Sequence, residues 1–254
     1  MPEGPLTGRV ALITGGGGLI GSGIARCFGR AGASVVVHYR DNERRAREVA
    51  DDVTRHGGDA TVLRADLTVE GECRGLVAEA ASWRGRLDAL VNNAGIQPVR
   101  QLGDLGLDEW RTVLETNVSS PFVATQAAAE IMSAQGGGSI THIASIEGGR
   151  PASGHAHYSS SKAALIMHAR AAALEYGARG IRVNAVSPGV IERPGIAEQW
   201  PEGVAGWLAR TPSGRLGQPE DVGRACVFLA SDAASWISGV DLPVDGGASV
   251  CPGW

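Results

Sequence analysis

Val10-Ala11-Leu12-Ile13-Thr14-Gly15-Gly16-Gly17-Gly18-Leu19-Ile20-Gly21 is the stretch that decides the fold. Four apolar residues run into four glycines, and a second apolar pattern starts at once. That order predicts a buried strand, a tight turn and a helix from Ile20 to about Arg30. Gly16, Gly18 and Gly21 satisfy G-x-G-x-x-G. Glycines there let the backbone approach a pyrophosphate seated on the helix N-terminus. A flexible glycine linker fits badly, because apolar runs flank the glycines tightly.

Outward from that unit, Ser34-Val35-Val36-Val37-His38 reads as a second strand. It is apolar as a parallel strand covered on both faces should be. Residues 42–56 form an amphipathic helix dense in arginine, with one solvated face. Thr61-Val62-Leu63 is a third strand, with Asp66 beyond it. Leu90-Val91-Asn92-Asn93-Ala94-Gly95 is a fourth strand running into a turn, and Ser139 to Ala144 is a fifth that delivers Ser145. Arg182 to Val186 is a sixth, leading to Ser187-Pro188-Gly189-Val190-Ile191. Strands alternating with helices predict the α/β class: a doubly wound parallel sheet with helices on both faces. No second domain, internal repeat or low-complexity segment interrupts the chain, so a single domain is expected over residues 1–254.

The chemistry concentrates in Tyr158-Ser159-Ser160-Ser161-Lys162. On a helix this spacing stacks Tyr158 and Lys162 one turn apart on one face. An ammonium beside a phenol favours the phenolate, so the tyrosine pKa should fall from about 10. That makes a proton donor and acceptor usable near neutral pH. Lys162 is also the only lysine in the chain. Arginine serves every other basic position, but its planar fork cannot replace a compact ammonium.

These motifs resemble the short-chain dehydrogenase/reductase family over nearly the whole chain, ketoreductases in particular and among them those of bacterial aromatic polyketide biosynthesis. The resemblance implies a Rossmann-type fold and hydride transfer between a nicotinamide and a carbonyl or secondary alcohol. Ser145, thirteen residues before Tyr158, falls where the family keeps its catalytic serine. Asn117, in Glu115-Thr116-Asn117-Val118, falls at its catalytic asparagine, whose main chain holds a relay water. The resemblance thus makes Asn117, Ser145, Tyr158 and Lys162 catalytic. It places the cofactor on Gly15, Gly18, Leu19, Ile20, Gly21, Tyr39, Arg40, Asp66, Leu67, Asn93, Ala94, Gly95, Tyr158, Lys162, Pro188, Gly189 and Ile191. Substrate is expected against Ser145, Glu147, His155, Trp200 and Trp207. His155 and His157 read as pocket-wall residues rather than metal ligands, and no metal is expected.

Three positions depart from the family pattern. Leu19 stands where members of this length usually have glycine. Arg193 replaces a threonine after Pro188-Gly189, which adds a cation near the cofactor phosphates. Tyr39 stands where an NAD enzyme places an acid for the ribose hydroxyl, and Arg40 follows. NADP, as NADPH, is therefore the preferred cofactor, while Asp41 keeps NAD possible. For Asp66, adenine contact and a helix cap ahead of the segment after Thr68 both remain open. Residues 190–213 form a segment punctuated by proline and glycine, which suits a mobile lid over the substrate. Its Trp200 and Trp207 offer flat faces to a ring-bearing ketone, or simply pack the lid. A 3-oxoacyl thioester reductase, a sugar or steroid alcohol dehydrogenase, and a catalytically silent nucleotide-binding scaffold are the competing readings.

The totals exclude other classes. The chain has 254 residues, 43% hydrophobic, with formal net charge −4. No basic stripe suggests nucleic acid. Met1-Pro2-Glu3-Gly4-Pro5 lacks the pattern of a signal peptide, and no run is apolar enough to span a membrane. The four cysteines are scattered, as free thiols of a cytoplasmic protein would be. The alanine-rich helix after Tyr158 suits close packing and, by the resemblance, a homotetramer interface.

Overall fold

The computed structural model describes residues 4–251. Residues 1–3 and 252–254, which the single-domain expectation includes, lie outside the described residues. The chain alternates β1 (Val10–Ile13), α1 (Leu19–Arg30), β2 (Ser34–Tyr39), α2 (Glu43–Arg55), β3 (Asp59–Arg64), α3 (Glu70–Arg84) and β4 (Ala89–Asn92). Then follow α4 (Leu107–Leu114), a π-helical turn (Glu115–Ser119), α5 (Ser120–Ala134), β5 (Gly138–Ile143), α6 (Ala156–Tyr176) and β6 (Ile181–Pro188). Two short helices, α7 (Ile196–Gln199) and α8 (Pro201–Arg210), precede α9 (Pro219–Ala230) and β7 (Asp241–Val244).

The seven strands form one parallel sheet in the order β3-β2-β1-β4-β5-β6-β7. This is the doubly wound Rossmann-type architecture the sequence predicts. The chain builds outward from β1 to β3, then returns to the other side of β1 at β4. The crevice at the C-terminal ends of β1 and β4 is therefore the topological switch point, where open α/β sheets bind ligands.

Period-two alternation feeds two cores, one on each face. Ala11 and Ile13 of β1, with Val35 and Val37 of β2, face the layer of α1, α2 and α9. Leu12 and Val36 face the opposite layer of α3, α5 and α6. The α2 stripe is Ala46, Val49, Ala50 and Val53, the i, i+3, i+4, i+7 spacing of a half-buried helix. Asn42 caps α2 by accepting the Arg45 amide at 3.1 Å. On α1, Gly23 lies against Pro219 of α9 so closely that a Cβ would strike the proline backbone. A glycine inside a helix forfeits about 1 kcal/mol of propensity. Overpacking there would cost about 1–3 kcal/mol, so close packing wins.

One sequence expectation changes here. Several strands run longer than their apolar cores suggested, because pairing with a neighbour extends into polar residues such as Asp59 and Arg64. Within residues 190–213 the chain forms α7 and α8, and Pro201 sits at the first position of α8, where its missing N–H costs nothing. No helix among the described residues is long and apolar enough to cross a membrane.

Candidate active site

Local chemistry first fixes the glycine turn. Gly15 adopts φ +61°, a region that side-chain-bearing residues avoid. Its amide donates to His38 Nδ1 at 2.9 Å, and His38 Nε2 lies 3.1 Å from the Ala65 carbonyl. The imidazole is thus neutral, with Nε2 the protonated nitrogen. Burial lowers the His38 pKa further, more than the hydrogen bond to Ala65 and the charge of Asp66 raise it. Across the crevice, the Thr14 hydroxyl accepts the amides of Asn93 and Ala94 at 2.9 and 3.0 Å. Asn93 Nδ2 returns to the Thr14 carbonyl at 2.9 Å. A Cβ on Gly21 would collide with the Gly15 carbonyl and with Asn93. Neither Thr14 nor His38 was among the expected site residues. A polar residue ending a buried apolar strand was the available signal for both.

This turn borders a cavity of about 510 Å³. Gly15, Gly18, Leu19, Ile20, Gly21, Tyr39, Arg40, Asp66, Leu67, Asn93, Ala94 and Gly95 all line it. Arg45, which the sequence reading did not single out, lines it too. Arg40 Nε lies 2.7 Å from Asp41 Oδ2, and both side chains are more than half exposed. Asp66 does not cap α3. Its Oδ1 accepts the Thr68 amide at 3.0 Å and hydroxyl at 2.7 Å, an Asx turn that holds the rim. Those bonds hold its carboxyl below the usual range. Glycines without room for a Cβ, helix-terminal amides, and cations at the far rim together fit a dinucleotide. Leu19, at the first position of α1, lines both this cavity and the next, so the missing glycine leaves a side chain at their junction.

The second cavity, about 780 Å³, collects Ser145, Glu147, His155, Tyr158, Lys162, Pro188, Gly189, Ile191, Trp200 and Trp207. Ser145 leaves β5 and accepts the Glu147 amide on its Oγ at 3.1 Å. Tyr158 and Lys162 share one face of α6, with Lys162 Nζ 5.5 Å from the tyrosine ring centre. Lys162 is 5% exposed, and its Nζ donates to the Ile143 carbonyl at 2.8 Å. Burial pushes its pKa down to about 8.

Asn117 is fully buried in the π-helical turn rather than on a regular helix. Its Oδ1 accepts the Ile96 amide at 2.9 Å, and its Nδ2 donates to the Ile96 carbonyl at 2.9 Å and Ser161 Oγ at 3.0 Å. Such turns recur at functional sites. Gly95 packs against both Asn117 and Lys162: a Cβ there would stand 3.1 Å from Asn117 Oδ1 and 3.6 Å from Lys162 Nζ.

The tyrosine corrects an expectation. Its pKa is pushed up to about 12, not down. Burial is the main cause, with the Glu147 carboxylate adding to it, and the Ser145 hydroxyl pulls the other way. Lys162, held on Ile143, offsets neither. The phenol is therefore a firm proton holder in the cofactor-free protein. Glu147 is itself tied, its Oε2 lying 2.9 Å from His155 Nδ1 and 3.2 Å from Ser159 Oγ. His155 stands edge-on to Tyr158 at 6.0 Å. His157, expected on the pocket wall, points elsewhere: it is fully buried and neither ring nitrogen has a partner. No group of three His, Cys, Asp or Glu among the described residues could hold a metal ion.

The tryptophans occupy different settings. The Trp207 ring lies on Gly189, where a Cβ would come within 2.7 Å of it. Trp200 covers Gly203 and is half exposed. Gly189 and Gly203 are thus seats for rings.

Comparison with known proteins identifies the family. Residues 18–249 match a family model described as enoyl-(acyl carrier protein) reductase. The chain is 38% identical over 245 residues to 2,5-dichloro-2,5-cyclohexadiene-1,4-diol dehydrogenase of Sphingobium indicum, covering 96% of this chain and 98% of that one. It is 36% identical over 253 residues to 3beta-hydroxysteroid dehydrogenase 1 of Eggerthella lenta, covering 98% and 97%. Among solved structures, a 7 alpha-hydroxysteroid dehydrogenase complexed with NADH and 7-oxo glycochenodeoxycholic acid superposes with a TM-score of 0.91 at 41% identity, covering 95% and 94%. The chain belongs to the short-chain dehydrogenase/reductase family and is an NAD(P)-dependent oxidoreductase acting on CH–OH and C=O groups.

Proposed function

We propose that this protein is an NADPH-dependent ketoreductase that converts a bulky, ring-bearing ketone to a secondary alcohol. The observation that carries the reading is the convergence of Ser145, Tyr158 and Lys162 on one cavity, against the Asn117–Gly95 junction. When bound, the nicotinamide supplies the hydride. Tyr158 gives its phenolic proton to the carbonyl oxygen, and Ser145 donates a hydrogen bond to that same oxygen. Lys162 holds the nicotinamide ribose and passes on the replacement proton, with Asn117 fixing the chain around the relay. Ribose contact would draw the ammonium off the Ile143 carbonyl and lower the tyrosine pKa toward neutrality. Residues 190–213 close over the substrate, with Glu147, His155, Trp200 and Trp207 as its walls. Rings recur in the names of the relatives, a cyclohexadiene diol and two steroids, which supports a cyclic substrate rather than a polyketide in particular.

The test is Tyr158→Phe. The ring keeps its shape and loses only the proton, so cofactor binding should persist while turnover disappears. Retention of more than about a tenth of the wild-type rate, a barrier increase under about 1.4 kcal/mol, would remove Tyr158 as the acid.

For the cofactor, Arg40 and Arg45 line the same cavity, which supports a 2′-phosphate held there. The Arg40–Asp41 pair is exposed and worth little, so Arg40 is free to turn to a phosphate. Arg40→Asp should shift the NADPH-to-NADH ratio of kcat/KM by at least about tenfold toward NADH. A wild type that prefers NADH would overturn this assignment.

Lys162 gives a pH-dependent expectation. Its folded pKa, about 8, lies below the ordinary lysine value. Between those values the unfolded chain binds the proton and the folded chain does not, so stability contributed by this residue rises with pH. Lys162→Met lacks that rise. Urea unfolding of the cofactor-free proteins should show the wild type gaining on the variant by about 1.4 kcal/mol per pH unit above about pH 8. A gap that stays constant would mean the lysine is not desolvated as described.

We also propose that the chain forms a homotetramer in the cytoplasm. Phe122 of α5 and Met167 of α6 are exposed apolar residues suited to an interface, and the four cysteines are free. Light scattering at micromolar concentration should give four times the chain mass, and a monomer would refute the assembly.

A further inference from the structure

We infer that the substrate carries a carboxylate remote from its reacting carbon, bound by Arg150 and Arg210 where they line the 780 Å³ cavity. This rests on reading that cavity as the carbonyl site.

Charge is the first argument. The chain as a whole has net charge −4, yet this cavity is lined by Arg150, Arg193, Arg210 and Lys162 against the single acid Glu147. Glu147 is also occupied, by His155, Ser159 and Gln97 Nε2 at 3.3 Å. A cleft lined by one sign of charge concentrates ligands of the other sign.

Pairing is the second. Many surface arginines elsewhere find acids, as Arg26 does in Asp52 at 2.6 Å, Arg74 in Glu70 at 2.9 Å and Arg215 in Asp221 at 2.6 Å, although Arg30, Arg45, Arg64, Arg170 and Arg179 form no ion pair among the described residues. Around this cavity all three arginines lack one. Arg193 Nη1 donates to the neutral Gln199 Oε1 at 2.7 Å, and Arg210 Nε donates to the Gly206 carbonyl at 3.0 Å. None of the three forms an ion pair with a side chain among the described residues. The remaining donors of Arg210, and the guanidinium of Arg150, are available for a carboxylate, whose two oxygens match the arginine fork.

Placement is the third. Arg150 follows the turn that carries Ser145 and Glu147, and Arg210 is the last residue of α8. They come from the body and the lid respectively. Arg193 lies close in sequence to Ile191, expected against the cofactor, so the inference does not rest on it. The same cavity that holds the cations and Tyr158 also has apolar walls, among them Ile146, Val190 and Trp207. The complementary ligand is amphipathic: a hydrocarbon ring at the reacting end and an anion at the other. Because one anchor sits on each side, the carboxylate would also draw α8 toward the body.

The probes are 4-oxocyclohexanecarboxylate and its methyl ester, which differ in charge at one end of the same ring. Calorimetry on the protein–NADPH complex should show the acid binding at least about tenfold tighter than the ester. The Arg150→Gln/Arg210→Gln double variant should bring that ratio near one, and Arg150→Lys/Arg210→Lys should keep part of it. A ratio cancels general damage from the substitutions. Acid and ester binding alike, neither binding, or a preference that survives in the Gln variant would each overturn the inference. NADPH consumption is read in parallel. A preference for the acid with no consumption on either compound would leave the anion site standing and defeat the carbonyl-reduction reading.

Discussion

The stitch across β1 and β4 is the constraint on which the rest depends. At the switch point two strands part, and their following turns must stay within reach of one another without sheet hydrogen bonds to hold them. Thr14, Asn93 and His38 supply the missing bonds. Each satisfies backbone groups that burial would otherwise leave unpaired, at about 1–3 kcal/mol apiece. With those turns fixed, α1 starts where its amides face the crevice, and Gly95 arrives where it touches both Asn117 and Lys162. The dinucleotide-sized cavity and the proposed catalytic cluster are therefore two ends of one hydrogen-bonded frame.

Within that frame, burial and charge oppose each other. Sequence reasoning set an ammonium beside a phenol and expected attraction to win. In the cofactor-free fold desolvation wins for both groups, lowering the lysine pKa and raising that of the tyrosine. Both shifts favour the neutral form. Such a pair keeps the tyrosine proton and eases loss of the lysine proton, without forming a buried ion pair, whose desolvation can exceed its Coulombic gain. Under the proposed role of Lys162, a polar ribose beside it would change that balance, so the site would gain its working electrostatics when loaded.

Much of this was legible in the chain. The run from Val10 to Gly21 specifies strand, turn and helix because apolar period and glycine geometry agree locally. The Tyr158–Lys162 spacing specifies a shared helical face for the same reason. What was not legible depends on distant partners. No local pattern shows that Lys162 would spend its donor on Ile143, or that Asn117 would sit in a π-helical turn bonded to Ile96. His38 looked like the end of an apolar strand, because its role needs Gly15 and Ala65 from two other segments. Arg45 looked like one more solvated arginine until α2 turned it toward the cavity.

The lid shows why glycine is ambiguous in a sequence. Gly189 and Gly203 admit three physical roles: left-handed backbone, mobility, or room for something large. Their φ values are not positive, so left-handed strain is not the reason. Each is covered by an indole ring in a position a Cβ would contest. Room is the role, and it sets what the lid can do. Trp207, packed on Gly189, couples α8 to the chain that follows β6, so the helix cannot lift away without exposing an indole. Trp200 instead covers Gly203, in the helix that it precedes, and stays half exposed. The lid is thus tethered at its second helix and looser before it. For the proposed closure over a substrate, the Trp207–Gly189 contact is the fixed point and half-exposed Trp200 the less constrained face.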